Sequence, residues 1–256
     1  MFLLFIIIFF IIFFIILSEK NRLSPPSTNK YKYYNNKTLV FSGVINSLIK
    51  IFYKKHIYDV KKVAVHNELK KNHKIILKEF NNVYKKGNLI NPGIFNKKFK
   101  QKDKNYGYYY INFYGYIKKN AFPKLTSILK KYPNIQSAFF SVINGPKKIH
   151  KHKGPSSGIL RYHYTLFSEN TKKDYLKVKN KKLYWYEKKG FIFDDTYEHY
   201  LKKKSKGLRV SLILDIKRDL PEPLNLLNTL FLKYVKNTAF VNKTRIKISE
   251  SSRNLI

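Results

Sequence analysis

The chain has no cysteine, one methionine, one tryptophan and few acidic groups: 15 aspartates and glutamates against 52 lysines and arginines. Without cysteine there can be no disulfide, no zinc knuckle, no iron–sulfur cluster and no thiolate nucleophile, so any metal must be held by His, Asp or Glu. The redox compartment stays open, because a cysteine-free chain is stable in either. The shortage of acid leaves a formal net charge of +37. A charge of that size attracts polyanions at long range. Nearly all of it is lysine spread along the whole chain, the pattern of a composition biased toward Lys, Asn, Ile, Tyr and Phe. Attraction to nucleic acid is therefore expected only as a non-specific side effect.

What the chain does have begins at its N-terminus. Phe2 to Leu17 are apolar without interruption. At ~1.5 Å per residue a helix of that length reaches about 24 Å, slightly short of a ~30 Å hydrocarbon core. No basic segment precedes the run and no small-residue cleavage site follows it, which favours an uncleaved membrane anchor over a signal peptide. Lys20, Arg22, Lys30 and Lys32 place the following domain on the cytoplasmic side by the positive-inside rule. Asn36 and Asn242 head N-x-T triplets, which are compatible with a lumenal position. The side of the membrane stays open.

The expected organisation is an anchor over 1–17, a Pro/Ser-containing linker over 18–42, one domain over 43–236 and a frayed tail over 237–256. Between Gly43 and Lys86 the apolar residues recur at helical spacing, as in Val60, Val63, Val65 and Leu69, then Ile75, Ile76, Phe80 and Val83. One or two helices are predicted there, then a loop over 87–107, a β-prone aromatic stretch from Tyr108 to Tyr116, and a short helix over Pro123–Lys131. From Asn134 the text changes to short apolar stretches: Ser137–Ile143, Ile159–Leu166, Tyr175–Val178, Leu183–Tyr186, Phe191–Phe193 and Leu208–Ile216. Breaks at Asn144-Gly145-Pro146, Gly154-Pro155, Asn180 and Gly190 separate them. Many short strands at such spacing predict a mainly β domain, an antiparallel sandwich or barrel. Leu224 to Val235 reads as a closing helix.

Four of the seven histidines, His150, His152, His163 and His199, fall in the strand-rich half. In a chain that uses lysine almost by default, only six residues are arginine, and Arg161 and Arg209 both lie in predicted strands. Guanidinium is a planar, permanently charged fork that grips a carboxylate with two parallel hydrogen bonds, which an ammonium cannot do. The period-2 geometry of a strand puts Arg161 and His163 on one face. His150, His152 and Gly154 likewise share a face if a strand runs through them.

The ordered motifs Phe140-Ser141-Val142-Ile143-Asn144-Gly145-Pro146, His152-Lys153-Gly154-Pro155 and Leu160-Arg161-Tyr162-His163 resemble the core of the aspartyl/asparaginyl β-hydroxylase family. Trp185, the stretch Phe193-Asp194-Asp195-Thr196-Tyr197-Glu198-His199, and Arg209 to Asp215 extend the resemblance, which covers roughly 135–220. It implies a double-stranded β-helix (jelly roll) with supporting N-terminal helices, and a dioxygenase that uses Fe(II), 2-oxoglutarate and O2 to hydroxylate its substrate. It also implies that His152 and His199 are the iron ligands. Most relatives in the wider superfamily add a carboxylate two residues after the first histidine; here that place is Gly154, a departure the family shares, and water would complete the sphere.

By the same resemblance, Arg209 with the Ser141 hydroxyl would seat the distal carboxylate of 2-oxoglutarate. Arg161 and His163 would touch the co-substrate or an acid group of the substrate. Asp194, Asp195 and Glu198 are candidates for orienting His199, Tyr108 for a place near the co-substrate, and Trp185 for packing. Arg218 stands where many relatives carry His-Pro. His56, His66 and His73 read as helical and structural.

The resemblance implies an Asp or Asn side chain of a protein as the target. Lipid acyl chains are the alternative within the same family, as in lipid A hydroxylases. A basic, membrane-tethered binding module is the non-catalytic alternative, and the vacancy at Gly154 could in principle admit a halide.

Overall fold

The structure is a computed structural model that describes residues 37–87, 89–90, 105–115 and 121–252. The expected anchor over 1–17, and the expected linker up to residue 36, lie outside the described residues. Among the described residues no helix is long and apolar enough to cross a membrane.

The helical N-terminal region resolves into α1 (Lys37–Phe52), a two-residue strand β1 (Ile57–Tyr58), a 3-10 turn (Val60–Lys62), α2 (His66–Lys71) and α3 (His73–Lys85). Helix α1 therefore starts inside the stretch expected as linker. It holds its place because Ile45 and Ile49 are buried against Phe231 and Leu232 of a later helix. After β2 (Tyr106–Phe113) and α4 (Pro123–Lys130) come β3 (Ile135–Asn144), β4 (Lys147–His152), β5 (Ile159–Phe167), β6 (Tyr175–Val178), β7 (Lys181–Tyr184), β8 (Gly190–Phe193), β9 (His199–Lys203) and β10 (Leu208–Lys217). Helices α5 (Leu224–Lys236) and α6 (Ala239–Ser252) follow.

The strands form two antiparallel sheets, one of six strands in the order β1-β8-β5-β10-β3-β2, the other of four in the order β4-β9-β6-β7. Strands β3, β5, β8 and β10 thus belong to the larger sheet and β4, β6, β7 and β9 to the smaller. This is the winding of a double-stranded β-helix, as the motifs implied.

Period-2 alternation decides which side chains face where. On β3, β5 and β10, Ala138, Phe140, Val142, Tyr162, Tyr164, Val210, Leu212 and Leu214 turn outward. They are buried beneath α2, α3 and α4 through Leu69, Ile76, Phe80, Val83, Leu125 and Leu129. His66 and His73 serve this layer: their Nδ1 atoms lie 2.6 and 2.9 Å from the Tyr162 and Tyr164 hydroxyls. The structural reading of those two holds, whereas His56 lies in the loop before β1 rather than in a helix. The opposite face of the larger sheet meets the smaller one in a second core of Ile143, Leu176, Val178, Trp185, Phe191, Phe193 and Leu201.

Besides the two-residue β1, which falls in the stretch expected to be helical, two strands escaped the sequence pattern. β4 (KKIHKH) and β9 (HYLKK) are rich in lysine, and only two of their residues, Ile149 and Leu201, are aliphatic. Lys203 of β9 even points inward, its side chain 1% exposed, with its ammonium on the carbonyls of Ser205 and Gly207 and on the Ser205 hydroxyl.

The tail is a further correction. Residues expected to fray form α6, which buries Val241 and Ile248 and packs Ile248 against Tyr110, Phe139 and Ile213 of the larger sheet. Its apolar residues are few and separated by Lys, Asn and Ser, so the periodic signal is weak. Truncating Ile248 to Ala is expected to cost about 2–4 kcal/mol in urea denaturation. The same change at exposed Ile246, two residues away, should stay within about 0.5 kcal/mol. Equal effects would mean that α6 does not pack.

Candidate active site

The inward face of the larger sheet carries polar residues where a sandwich core would ordinarily be apolar. Ser141 of β3, Arg161, His163 and Thr165 of β5, and Arg209 and Ser211 of β10 all have the inward parity. The register sets Ser211 opposite both Ser141 and Thr165, and Asp215 opposite Arg161. Burying them is costly unless each finds a partner.

Arg209 has found only part of one. It is 2% exposed, and its guanidinium lies 4.8 Å from the centre of the Trp185 ring. It donates weakly to the Ser141 carbonyl and hydroxyl, at 3.3 and 3.4 Å. Among the described residues its Nε has no partner, and neither do the buried hydroxyls of Ser211 and Thr165. Among the described residues no carboxylate comes within ion-pair distance of it. Burial lowers its pKa to about 10, which still leaves it charged at neutral pH. A charged fork with unsatisfied hydroxyls beside it is a cradle for an anion.

Arg161, by contrast, is already spoken for. Its Nε and one terminal nitrogen bind Asp215 at 2.8 and 3.2 Å, and the other binds Asp195 at 3.0 Å. Burial works against its charge, but Asp215 and Asp195 outweigh it and raise its pKa. Arg161, the residue expected near the co-substrate or the substrate, is bound to two carboxylates. Its isolated text, L-R-Y-H, could not reveal this, because Asp195 and Asp215 reach it only through the β-helix winding.

The two histidines that the motifs single out come together. Pairing of β4 with β9 sets His152 opposite His199, with ring centres 4.2 Å apart and planes inclined at 55°. Each ring is fixed by its own backbone: His152 Nδ1 lies 2.8 Å from the His150 carbonyl and His199 Nδ1 2.9 Å from the Tyr197 carbonyl. A carbonyl can only accept, so both Nδ1 atoms carry the hydrogen and both Nε2 lone pairs are left bare, the tautomer a metal requires. Burial keeps both rings neutral, lowering His152 and taking His199 down to about 3. Among the described residues no group of three His, Asp or Glu is arranged to hold a metal around this pair.

Gly154 explains part of that. A Cβ at this position would come within 2.1 Å of the Asp195 carboxyl carbon and both its oxygens. The space of the missing side chain is thus filled by Asp195, whose carbonyl also accepts from the Gly154 amide at 2.7 Å. Asp195 is 3% exposed, and burial pushes its pKa up to about 7 against the pull of Arg161. Of the three acids considered for orienting His199, Asp195 lies at the site. Asp194 is turned to structure, and Glu198 pairs with Lys151 on the surface at 2.9 Å.

Other residues line the same chamber. His163 stacks on Phe191 with ring centres 4.8 Å apart. Its Nδ1 accepts from the Trp185 indole at 3.4 Å, which leaves Nε2–H to donate elsewhere. Burial and the neighbouring Arg209 and Arg161 hold it neutral, well below the usual imidazole range. Trp185 therefore does more than pack: it covers Arg209 and orients His163. The hydroxyls of Tyr106 and Tyr108 are hydrogen-bonded to each other, and both rings sit within electrostatic reach of Arg209. Thr165, Ser211 and Tyr106 were not anticipated; the spacing Arg209-x-Ser211 on one strand face was the available signal for Ser211.

The loop that carries Asp195 is held from behind. Arg218 donates to Asp194 at 2.6 Å and to the Tyr58 hydroxyl at 2.7 Å. The Asp194 carboxylate accepts in turn from the Thr196 amide and hydroxyl, at 3.0 and 2.6 Å. Both ends of the ion pair are buried, at 3% and 0% side-chain exposure. Arg218 is thus a clamp on the turn between β8 and β9.

A double-stranded β-helix whose interior holds paired bare imidazoles and a buried free guanidinium has the architecture of a hydroxylase domain. The profile of the aspartyl/asparaginyl beta-hydroxylase family matches residues 70–219, and the chain belongs to that family. An ornithine lipid ester-linked acyl 2-hydroxylase from Rhizobium tropici is 32% identical over 124 residues, 48% of this chain and 44% of that protein. The match thus spans less than half the length of that relative. Among solved structures, an oxidoreductase of the 2OG-Fe(II) oxygenase family from Burkholderia pseudomallei aligns over 44% of this chain and 66% of its own, with 8% identity and a TM-score of 0.35. A Pseudomonas putida prolyl-4-hydroxylase aligns over 39% and 63%, with 11% identity and a TM-score of 0.28. Likenesses this slight bear no weight on the chemistry.

Asp194→Ala leaves Arg218 buried without its counter-charge and is expected to cost about 3–5 kcal/mol. Adding Arg218→Met should return more than 1 kcal/mol of that loss. Urea denaturation of the two single variants and the double variant measures the coupling, and strict additivity would show that the clamp carries none.

Proposed function

We propose that the chain is an Fe(II)- and 2-oxoglutarate-dependent hydroxylase whose substrate is an acyl chain of a membrane lipid. The observation that carries the chemistry is the pair of buried, neutral imidazoles of His152 and His199 with their Nδ1 hydrogens tied to carbonyls. Such a pair suits Fe(II) in its donor atoms and in its tautomer. The residues that would hold the metal are His152 and His199, with Asp195 beside them to accept hydrogen bonds from bound water. When bound, iron and 2-oxoglutarate supply oxygen activation, one oxygen atom leaving in succinate as CO2 is released and the other going to the substrate.

The chain's own residues do the rest. Arg209, with the hydroxyls of Ser141, Ser211 and Thr165, would take the distal carboxylate, supplying the anion that the buried guanidinium lacks. His163 would donate from Nε2 to the co-substrate. Arg161 is a positioning residue: through Asp195 and Asp215 it fixes the wall opposite Gly154. The aromatic shell of Trp185, Phe191, Phe193, Tyr106 and Tyr108 keeps water out, which strengthens each of these contacts.

The choice of a lipid rests on the ornithine lipid relative, which acts on an ester-linked acyl group by its name. A second reading, hydroxylation of Asp or Asn in a protein, is favoured by the family's description. Incubation with an ester-linked acyl lipid and, separately, with an Asp- and Asn-containing peptide, followed by mass spectrometry, decides between them by which one gains an oxygen atom.

Both His152→Ala and His199→Ala are expected to abolish Fe(II) binding in anaerobic titration, with circular dichroism unchanged, and to abolish succinate formation. Binding that survives both would sink the iron assignment. Arg209→Met should raise the KM for 2-oxoglutarate by about a hundredfold or more, since it removes a buried charge partner; an unchanged KM would place the co-substrate elsewhere.

A further inference from the structure

Two helices present apolar side chains to solvent where a surface helix should be polar. On α5, Leu226, Leu227, Leu230 and Tyr234 are 44–55% exposed. Their spacing puts them on a single stripe. On α1, Phe41 and Phe52 are 61% and 70% exposed. The two sets adjoin: the rings of Phe41 and Tyr234 have centres 6.3 Å apart, and the Thr38 and Tyr234 hydroxyls lie 3.4 Å from each other. Because Phe41 is near the start of α1 and Tyr234 near the end of α5, the helices run antiparallel, with their inner residues Ile45, Ile49, Phe231 and Leu232 buried.

Lysine dominates the surroundings of this face, with the exposed Glu222, which accepts from the Leu226 amide at 3.0 Å, at the start of α5. Residues 37–58 contain no acidic residue, and none occurs between Glu222 and Glu250. Lys54, Lys55, Lys233 and Lys236 are exposed at its margins. We propose that the α1–α5 face docks on an anionic lipid bilayer, its apolar side chains entering the headgroup region and its lysines meeting lipid phosphates. An apolar stripe rimmed by lysine is the pattern of interfacial membrane helices.

Charge and sequence argue against the other occupants. A second copy of a chain with net charge +37 would bring like-charged rims together. The apolar run Phe2–Leu17 has no polar side, so laying it on this face would leave its other side in water, whereas a bilayer accommodates both. With that run in the bilayer, residues 18–36 keep α1 within about 65 Å of the membrane even when fully extended.

The same helices hold the loop that follows His152. Ser42 and Asn46 of α1 donate to the Pro155 carbonyl, and Asn46 also accepts from the Ser157 amide at 2.6 Å. Asn228 of α5 donates to the Gly158 carbonyl at 2.9 Å. Docking would therefore leave one layer of helix between the active-site loop and the lipid. The docking surface is separate from the iron chemistry and would serve either substrate.

The absence of cysteine makes the test direct. Single Leu230→Cys, Phe52→Cys and Lys130→Cys variants of the full chain, each labelled with an NBD fluorophore, are titrated with phosphatidylcholine vesicles with and without phosphatidylglycerol. On the anionic vesicles the labels at 230 and 52 are expected to shift to the blue and to be quenched by doxyl lipids several-fold more than on neutral ones. The label at 130, on α4 beneath the other side of the molecule, should not respond. The proposal fails if vesicles bind the chain while position 230 stays open to iodide, since the N-terminal run alone would then account for binding. It fails equally if position 230 is shielded before lipid is added, whether with concentration dependence (a second copy) or without it (the chain's own run). Iron titration of the same labelled chains tells a failed surface from a failed oxygenase assignment.

Discussion

The functional geometry depends on one pairing, that of β4 with β9. Antiparallel register sets His152 across from His199, residues that no local interaction would join. The strands are short, lysine-rich and half-exposed, so they do not pair because of their own hydrophobicity. They pair because β3 and β10, the strands that precede β4 and follow β9, are locked side by side at the centre of the larger sheet. The well-packed sheet thus delivers the weak one, and the imidazoles with it.

The second constraint is the burial of charge between the sheets. Arg161, Arg209, Asp195 and Asp215 all project into a space whose walls are aromatic and aliphatic. Arg161 is neutralised by both carboxylates, a pairing that rigidifies one wall. Arg209 has a tryptophan face, a carbonyl and a hydroxyl, which offset only part of the cost of desolvating a guanidinium. The contrast separates two arginines that look alike in the text: one is bound to two carboxylates, and the other meets none within ion-pair distance among the described residues. Arg218 adds a third case, a buried clamp outside the chamber that fixes the turn bearing Asp195.

The scaffold extends this order outward. Helices α2, α3 and α4 seal the outer face of the larger sheet, where Tyr162 and Tyr164 are held by His66 and His73. Helices α1 and α5 instead brace the loop beyond His152, and α6 covers the far edge through Ile248. The stretches that departed from expectation are α1, which begins at Lys37 inside the expected linker, and α6 in place of a frayed tail, whose apolar residues are sparse. Each is stabilised by contacts with distant elements, which periodicity cannot register.

The sequence by itself determined the mainly β character of the second half, the strand positions wherever apolar residues are dense, the shared face of Arg161 and His163, and the residues His152, His199 and Arg209 as those to examine. The first three follow from local chemistry, namely side-chain alternation and turn residues, whereas the two histidines and Arg209 were singled out by the resemblance of their ordered motifs to the hydroxylase family. Only the tertiary structure decided that β4 and β9 are strands at all, that Asp195 occupies the volume Gly154 leaves open, and that Arg161 is bound to carboxylates while Arg209, among the described residues, has none within ion-pair distance. Those outcomes turn on which distant side chains share a buried volume, and burial is a property of the assembled fold.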